Sequence, residues 1–244
     1  MIYLIKIITA FIYSMGCFAI GFTISLIRPF NANNLYLTGK VLRKYCFQIL
    51  GVNFIKRGSD LPDDIYPVVF MSNHQNNIDL MAGGSCVKPK TVLLGKKSIL
   101  WIPVFGQFYA LSGNLLINRK NSEAAKKSMQ ELTRKIIDHK LSVWVLPEGT
   151  RSRGAGLLPF KKGGFITAIN AQVPIIPVVF NSYAKTLELS KLRSGTIIAK
   201  FMEPIPTKGL TMDNLEELIE RTHSLFEKTI NELDAEIAGV LGRA

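Results

Sequence analysis

The sequence predicts an α/β fold: a mostly central β-sheet flanked by helices, preceded by an N-terminal membrane-associated helical segment. Three observations carry this. From Val52 onward, short apolar runs alternate with longer stretches of helical periodicity. Several of those runs lack polar alternation, as expected of strands covered on both faces. The opening stretch from Met1 to Ile27 carries one charge, Lys6.

That opening stretch is the first element. Ile7 to Ile27 is long enough to span a hydrocarbon core, and no A-x-A-like site follows it to mark a signal peptide. Ser14-Met15-Gly16-Cys17 lacks the leucine with which a lipoprotein cleavage box usually opens. Length alone leaves open whether the helix crosses the bilayer or lies in one leaflet. Arg28-Pro29 breaks the run, and a second helix is predicted from Asn33 to Leu50, ended by Gly51. On a wheel Val41, Leu42, Tyr45, Cys46, Ile49 and Leu50 fill about half the circumference, opposite Lys40, Arg43 and Lys44. A basic interfacial helix gives that pattern, and so does a helix packed on a core. Basic residues gathered after the first helix favour the cytoplasmic side for the part of the chain that follows.

The chain is therefore divided at residue 51, into membrane-anchoring helices (1–51) and one α/β domain (52–244). Strands are predicted at Pro67–Met71, Thr91–Leu94, Leu115–Ile117, Ser142–Leu146, Ile175–Phe180 and Thr196–Met202. The prolines in Val173–Val178 suggest a sheet edge or plain structure. Asn121 is placed to cap a helix over Ser122–His139, and Gly163-Gly164 precedes a short apolar helix to Ala171. Asp213 with Glu216 reads as the capping box of a long C-terminal helix. No internal repeat or low-complexity segment is present.

Composition narrows the partners. A hydrophobic content of 48% and a mean hydropathy of +0.21 are high for a freely soluble chain. A formal charge of +12 calls for an anionic partner. Without a helix-turn-helix cue, zinc-finger spacing or an aromatic-rich basic stretch, that partner is an anionic bilayer surface or a phosphorylated substrate, with no nucleic acid. Cys17, Cys46 and Cys86 are isolated, so they read as free buried thiols in a reducing compartment. No metal site or cofactor is expected.

The chemistry concentrates in Ser72-Asn73-His74-Gln75-Asn76-Asn77-Ile78-Asp79, which follows a predicted strand and leads into a helix near Ile78, with Asn76 or Asn77 as its cap. A neutral imidazole takes a proton from an alcohol near neutral pH, and a carboxylate on its other nitrogen fixes the tautomer. Residues five apart on a straight helix are rotated by about 140°. Asp79 therefore reaches His74 only if the histidine lies outside the helix. Glu148-Gly149-Thr150-Arg151-Ser152-Arg153 follows another strand; its glycine permits a tight turn and Arg151 offers a planar fork suited to a phosphate monoester. Arg119 projects from the end of the strand Leu115–Ile117, and Lys161 and Lys162 add positive charge. Gly83-Gly84-Ser85-Cys86-Val87 is not G-x-S-x-G, and Gly95-Lys96-Lys97-Ser98 lacks the order of a P-loop.

Four motifs in order, His74-x4-Asp79, Gly113-Asn114-Leu115-Leu116-Ile117-Asn118-Arg119, Pro147-Glu148-Gly149-Thr150-Arg151-Ser152 and Val173-Pro174-Ile175-Ile176-Pro177-Val178, resemble those of the glycerophospholipid acyltransferase family. With Gly95-Lys96-Lys97-Ser98, Trp101-Ile102-Pro103 and Phe160-Lys161-Lys162-Gly163 the likeness covers most of the chain, and is nearest to the bacterial 1-acylglycerol-3-phosphate acyltransferases. It departs from the usual pattern at Asn76, Leu116 and Asn118, where serine, phenylalanine and aspartate are common; Asn118 removes a charge beside Arg119.

The resemblance implies His74 as general base with Asp79 orienting it, and Gly113, Arg119, Glu148, Gly149, Thr150 and Arg151 as binding residues, with both arginines on the phosphate. It implies acyl transfer from acyl-CoA or acyl-carrier protein to the 2-hydroxyl of lysophosphatidic acid, giving phosphatidic acid, with anionic membrane lipid as a further partner. A thioester is already activated, so no serine or cysteine nucleophile is needed. Two alternatives stay open: glycerol 3-phosphate or another lysophospholipid as acceptor, and a protein that binds anionic lipid without reacting.

Overall fold

The computed structural model describes residues 1–58, 60–62, 65–117 and 122–241. The helices are α1 (Ile2–Ile27), α2 (Asn33–Leu50), α3 (Asp79–Cys86), α4 (Phe105–Leu111), α5 (Ser122–His139), α6 (Gly163–Ala171), the single turn α7 (Tyr183–Thr186) and α8 (Leu215–Leu241). The strands are β1 (Val52–Arg57), β2 (Val69–Ser72), β3 (Thr91–Lys96), β4 (Leu115–Ile117), β5 (Ser142–Val145), β6 (Ile175–Phe180) and β7 (Gly195–Phe201). They form a seven-stranded sheet in the order β1-β7-β6-β2-β5-β3-β4. All neighbours run parallel except β6 and β7. The strands β6, β2, β5, β3 and β4 therefore point their C-terminal ends to one edge, where ligand sites of parallel sheets form.

Period-two alternation sorts the strand side chains into two cores. Phe70, Trp144, Ile176 and Val178 pack under α2, α3 and α4. Val69, Met71, Val143, Val145 and Ile175 pack under α5, α6 and α8. The result is a helix–sheet–helix sandwich.

Four predicted strands lie within two residues of their observed bounds, and those over Leu115–Ile117 and Ile175–Phe180 coincide. β1 went unpredicted: it is half-exposed and pairs only with β7 at the rim, so it lacks the continuous apolar run of the interior strands. The run Val173–Val178 forms no edge, since β6 is an interior strand buried along its length. Pro177 is accommodated there because antiparallel pairing with β7 begins only at Val178. The C-terminal helix is capped two residues earlier than predicted. Asn214 Oδ1 accepts the Thr211 N–H at 2.9 Å and Thr211 Oγ1 faces the turn in return, while Glu216 pairs with Lys162. The proposed Asn121 cap lies outside the described residues.

Of the two readings of α2, packing on the core is the one observed. Leu42, Cys46, Phe47 and Leu50 are buried in the sheet's core, and Gly39 crosses Gly84 of α3 so closely that a Cβ would lie 2.4 Å from its carbonyl oxygen. Lys40, Arg43 and Lys44 stay in solvent.

α1 has the reverse polarity. The residues it turns inward are Lys6, Ala10, Ser14, Cys17, Phe18, Gly21 and Ser25, nearly all small or polar. Ile5, Ile8, Phe11, Ile12, Ile20 and Leu26 are exposed. An apolar row facing outward on a helix long and apolar enough to cross a membrane marks contact with lipid, and membrane association follows. The helix is about 39 Å long and is attached to the domain near both ends. Near its C-terminus Phe18 packs on Phe105 of α4 at 4.7 Å and Ser25 meets Ser112 at 3.3 Å. Near its N-terminus Lys6 is 8% exposed, with Nζ 2.8 Å from Leu50 O, 2.6 Å from Lys191 O, 2.9 Å from Leu192 O and 2.8 Å from Ser194 Oγ. The ammonium thus caps the C-terminus of α2, where the helix dipole favours positive charge.

Lys6→Met keeps the length of the side chain but leaves those acceptors without their donor. We expect a loss of about 1–3 kcal/mol, read as a lower thermal midpoint of the purified protein in detergent. An unchanged midpoint would show that the buried ammonium is dispensable.

Candidate active site

β2 ends at Ser72 and α3 starts at Asp79, so His74 lies in the connecting loop at the C-terminal edge of the sheet. Asn76 Oδ1 accepts the Ile78 N–H at 2.8 Å, which turns the chain into the helix. This brings Asp79 back onto the loop. Its Oδ2 accepts from His74 Nδ1 at 2.6 Å, from Gln75 N–H at 2.7 Å and from Asn76 N–H at 2.9 Å. With the Nδ1 proton held by the carboxylate, Nε2 is the nitrogen left to accept a substrate proton. The side chains of His74 and Asp79 are 17% and 11% exposed, open enough to reach a ligand and dry enough to strengthen the pairing.

Glu148 follows β5 on the same edge and is 2% exposed. Its Oε1 accepts the His74 backbone N–H at 2.5 Å and its Oε2 accepts the Leu158 N–H at 3.0 Å. Two further backbone bonds join the loops: Ser152 N–H donates to His74 O at 2.8 Å and Arg153 N–H to Gln75 O at 2.9 Å. Both Glu148 carboxylate oxygens accept backbone N–H groups, and the bond to His74 holds the histidine loop. Burial pushes the Glu148 carboxyl above its ordinary value; the two N–H donors oppose that.

Gly149 has φ +70°, and its amide donates to Leu146 O at 3.0 Å. A Cβ there would lie 3.0 Å from Lys161 Cδ, so the side chain of Lys161 covers the turn. Thr150 and Arg151 are exposed on the turn beside the histidine loop. β4 ends at Ile117 in register with Lys96 of β3, on the same edge; Arg119, two residues on, lies outside the described residues. Gly113 is not brought to this site. It stands at the opposite end of β4, has φ +76°, and a Cβ would lie 2.9 Å from Phe30 O, so the turn alone accounts for glycine.

Sequence reasoning missed three amides that fix the loop. Asn73 bonds both ways to Phe180 of β6 (Nδ2 to O and Oδ1 from N–H, each 2.9 Å). Gln75 donates to Asn181 O at 2.7 Å and accepts from Ala184 N–H at 3.1 Å. Asn181 Oδ1 in turn accepts the Ile198 N–H of β7 at 2.8 Å. The available signal was polarity itself: amides directly after an apolar buried strand must find partners.

The arrangement holds the His74 imidazole, with Nδ1 on Asp79, beside an exposed arginine-bearing turn. A family model described as Acyltransferase matches residues 46–181, from α2 through the end of β6. The 1-acyl-sn-glycerol-3-phosphate acyltransferase of Haemophilus influenzae is 39% identical over 238 residues, covering 96% of this chain and 99% of that protein. The chain belongs to the acyltransferase family. The Escherichia coli protein of the same description is 37% identical, covering 98% of this chain and 97% of its own. In fold, the chain is similar to the crystal structure of the 1-acyl-sn-glycerophosphate acyltransferase of Thermotoga maritima, with a TM-score of 0.72 at 22% identity over 96% of this chain and 95% of that one.

Glu148→Gln keeps one acceptor but turns an N–H₂ toward the second backbone donor. We expect turnover to fall about a hundredfold, the scale of a small misplacement of a catalytic group. The pH dependence follows from the raised carboxyl: the native state holds its proton more tightly than the unfolded chain, so this group's contribution to stability is fully present below the ordinary carboxylate range and is lost as pH rises through the raised value. Thermal midpoints from acidic to neutral pH should fall less in Glu148→Gln than in the parent. Parallel curves would contradict the assignment.

Proposed function

We propose that the protein transfers an acyl group from a thioester, acyl-CoA or acyl-carrier protein, to the 2-hydroxyl of 1-acyl-sn-glycerol 3-phosphate, giving phosphatidic acid at the cytoplasmic face of the membrane. The observation that carries this is the His74 Nδ1–Asp79 bond, which leaves Nε2 as a base for an alcohol in a chain that covers nearly the whole length of relatives named for this reaction.

In the reaction, the 2-hydroxyl oxygen attacks the thioester carbon as His74 Nε2 takes its proton. The C–O bond forms, the C–S bond breaks, and the imidazolium returns the proton to the departing sulfur. Asp79 stabilises the charged imidazole in between. Arg151 on its exposed turn binds the acceptor's phosphate, and Arg119 is proposed for the same dianion. Thr150 and Gly149 shape that turn. General-base assistance is worth about 10²–10⁴-fold, and holding the acceptor by its phosphate adds the advantage of positioning.

Both substrate and product partition into lipid, which gives the outward face of α1 its purpose. The two attachments of α1 to the domain, at Lys6 and at Phe18–Ser25, support a helix lying along the domain within one leaflet.

The test is phosphatidic acid formation from lysophosphatidic acid with acyl-CoA and with acyl-carrier protein as donors. His74→Ala should lower turnover by about 10²–10⁴-fold while lysophosphatidic acid still binds. Arg151→Ala should instead raise the KM for that acceptor about 10–100-fold, the worth of a charge-assisted bond. Product from glycerol 3-phosphate alone, or from neither donor, would overturn the reading.

A further inference from the structure

The segment between β3 and α4 presents an apolar surface that the catalytic site does not use. After the C-terminal end of β3 the chain makes a 3₁₀ turn over Lys97–Trp101. Trp101 is 85% exposed and Ile102 is 45% exposed. Tryptophan in water on a catalytic domain is unusual, because it forgoes the burial of a large apolar area.

The segment is built rather than loose. Phe105 N–H donates to Pro103 O at 2.7 Å across Val104, whose φ of 64° and ψ of −54° describe a rare, strained γ-turn. Gly106 N–H donates to Ile102 O at 2.7 Å, and a Cβ on Gly106 would lie 2.4 Å from Leu100 O. A tightly folded reversal therefore holds Trp101 and Ile102 outward.

Two features say what they face. Exposed Lys96 and Lys97 stand at the start of the same turn, giving the aromatic-plus-basic composition that binds the interface of an anionic bilayer. The turn also leads straight into α4, whose Phe105 and Phe108 pack on Phe18 of α1 at 4.7 and 6.0 Å. It is thus joined to the helix whose apolar row faces out. Leu80, next to Asp79, is exposed as well.

We infer that Trp101 and Ile102 form a second contact with the phospholipid bilayer, at the sheet edge that carries His74, so that the membrane surface reaches the site. The inference rests on the membrane reading of α1 and extends it to the catalytic domain. A lipid acceptor then meets His74 without its acyl chain passing through water.

Intrinsic fluorescence tests this directly. The chain has two tryptophans, and Trp144 is buried with Nε1 donating to Ser72 Oγ at 2.9 Å. Full-length protein is reconstituted with vesicles of phosphatidylcholine and phosphatidylglycerol, with and without brominated phosphatidylcholine, and flotation is measured on the same samples. The expected result is co-flotation, a blue shift on reconstitution, and quenching by brominated lipid. In Trp101→Phe the shift and most of the quenching should be absent while flotation persists. Vesicle-bound protein whose Trp101 emission stays red and unquenched would overturn this inference and leave the membrane reading standing. Failure to float would overturn both. A blue shift without quenching would mean that a protein surface, such as a second copy, covers Trp101, and would also overturn it.

Discussion

One oxygen atom organises the catalytic end of the molecule. Asp79 Oδ2 receives the His74 ring N–H and the backbone N–H groups of Gln75 and Asn76, all within 2.9 Å. Hydrogen bonds to a charged acceptor contribute about 1.5–3 kcal/mol each, and together these fold the six-residue loop back on the first residue of α3. The histidine cannot move without breaking the loop, nor the loop without moving the helix. Glu148 closes the same loop from the other side through the His74 N–H. Two acidic residues thus act on one histidine in different ways, one through its ring and one through its backbone.

The sheet makes this possible. β2, β5 and β6 run parallel, so their following segments meet at one edge, and the amides of Asn73, Gln75 and Asn181 join those after β2 and β6 where the ladder stops. Buried polar groups at a strand end need such partners, and satisfied networks of this kind are rigid. The exposed turn with Thr150 and Arg151 is held to that edge by backbone bonds from Ser152 and Arg153. Its arginine can then adapt to a ligand while its backbone stays fixed.

Much of this was legible in the sequence, for physical reasons that differ from residue to residue. The pairing of His74 with Asp79 was readable because five-residue spacing excludes a straight helix and requires a loop. The interior strands were readable from unbroken apolar runs. The burial of Glu148 was not, because a carboxylate in a turn gives no local sign that the fold will cover it with another loop. Gly113 was readable as a special glycine but not as one serving a turn against Phe30, since that contact spans distant segments. α1 hides its arrangement differently. Lys6, Ala10, Ser14, Cys17, Gly21 and Ser25 recur at helical spacing, but a small or polar row inside an apolar helix becomes informative only once one knows which face the domain takes.

Everything at this edge depends on the loop fixing His74 with its proton on Nδ1 and Nε2 free. ¹⁵N NMR of protein labelled at its three histidines, in detergent at neutral pH and with His74→Gln to assign the signal, tests it most directly. A protonated Nδ1 and an unprotonated Nε2 are expected for His74. Finding the proton on Nε2 would contradict it, since that ring could donate to a substrate hydroxyl but not accept its proton.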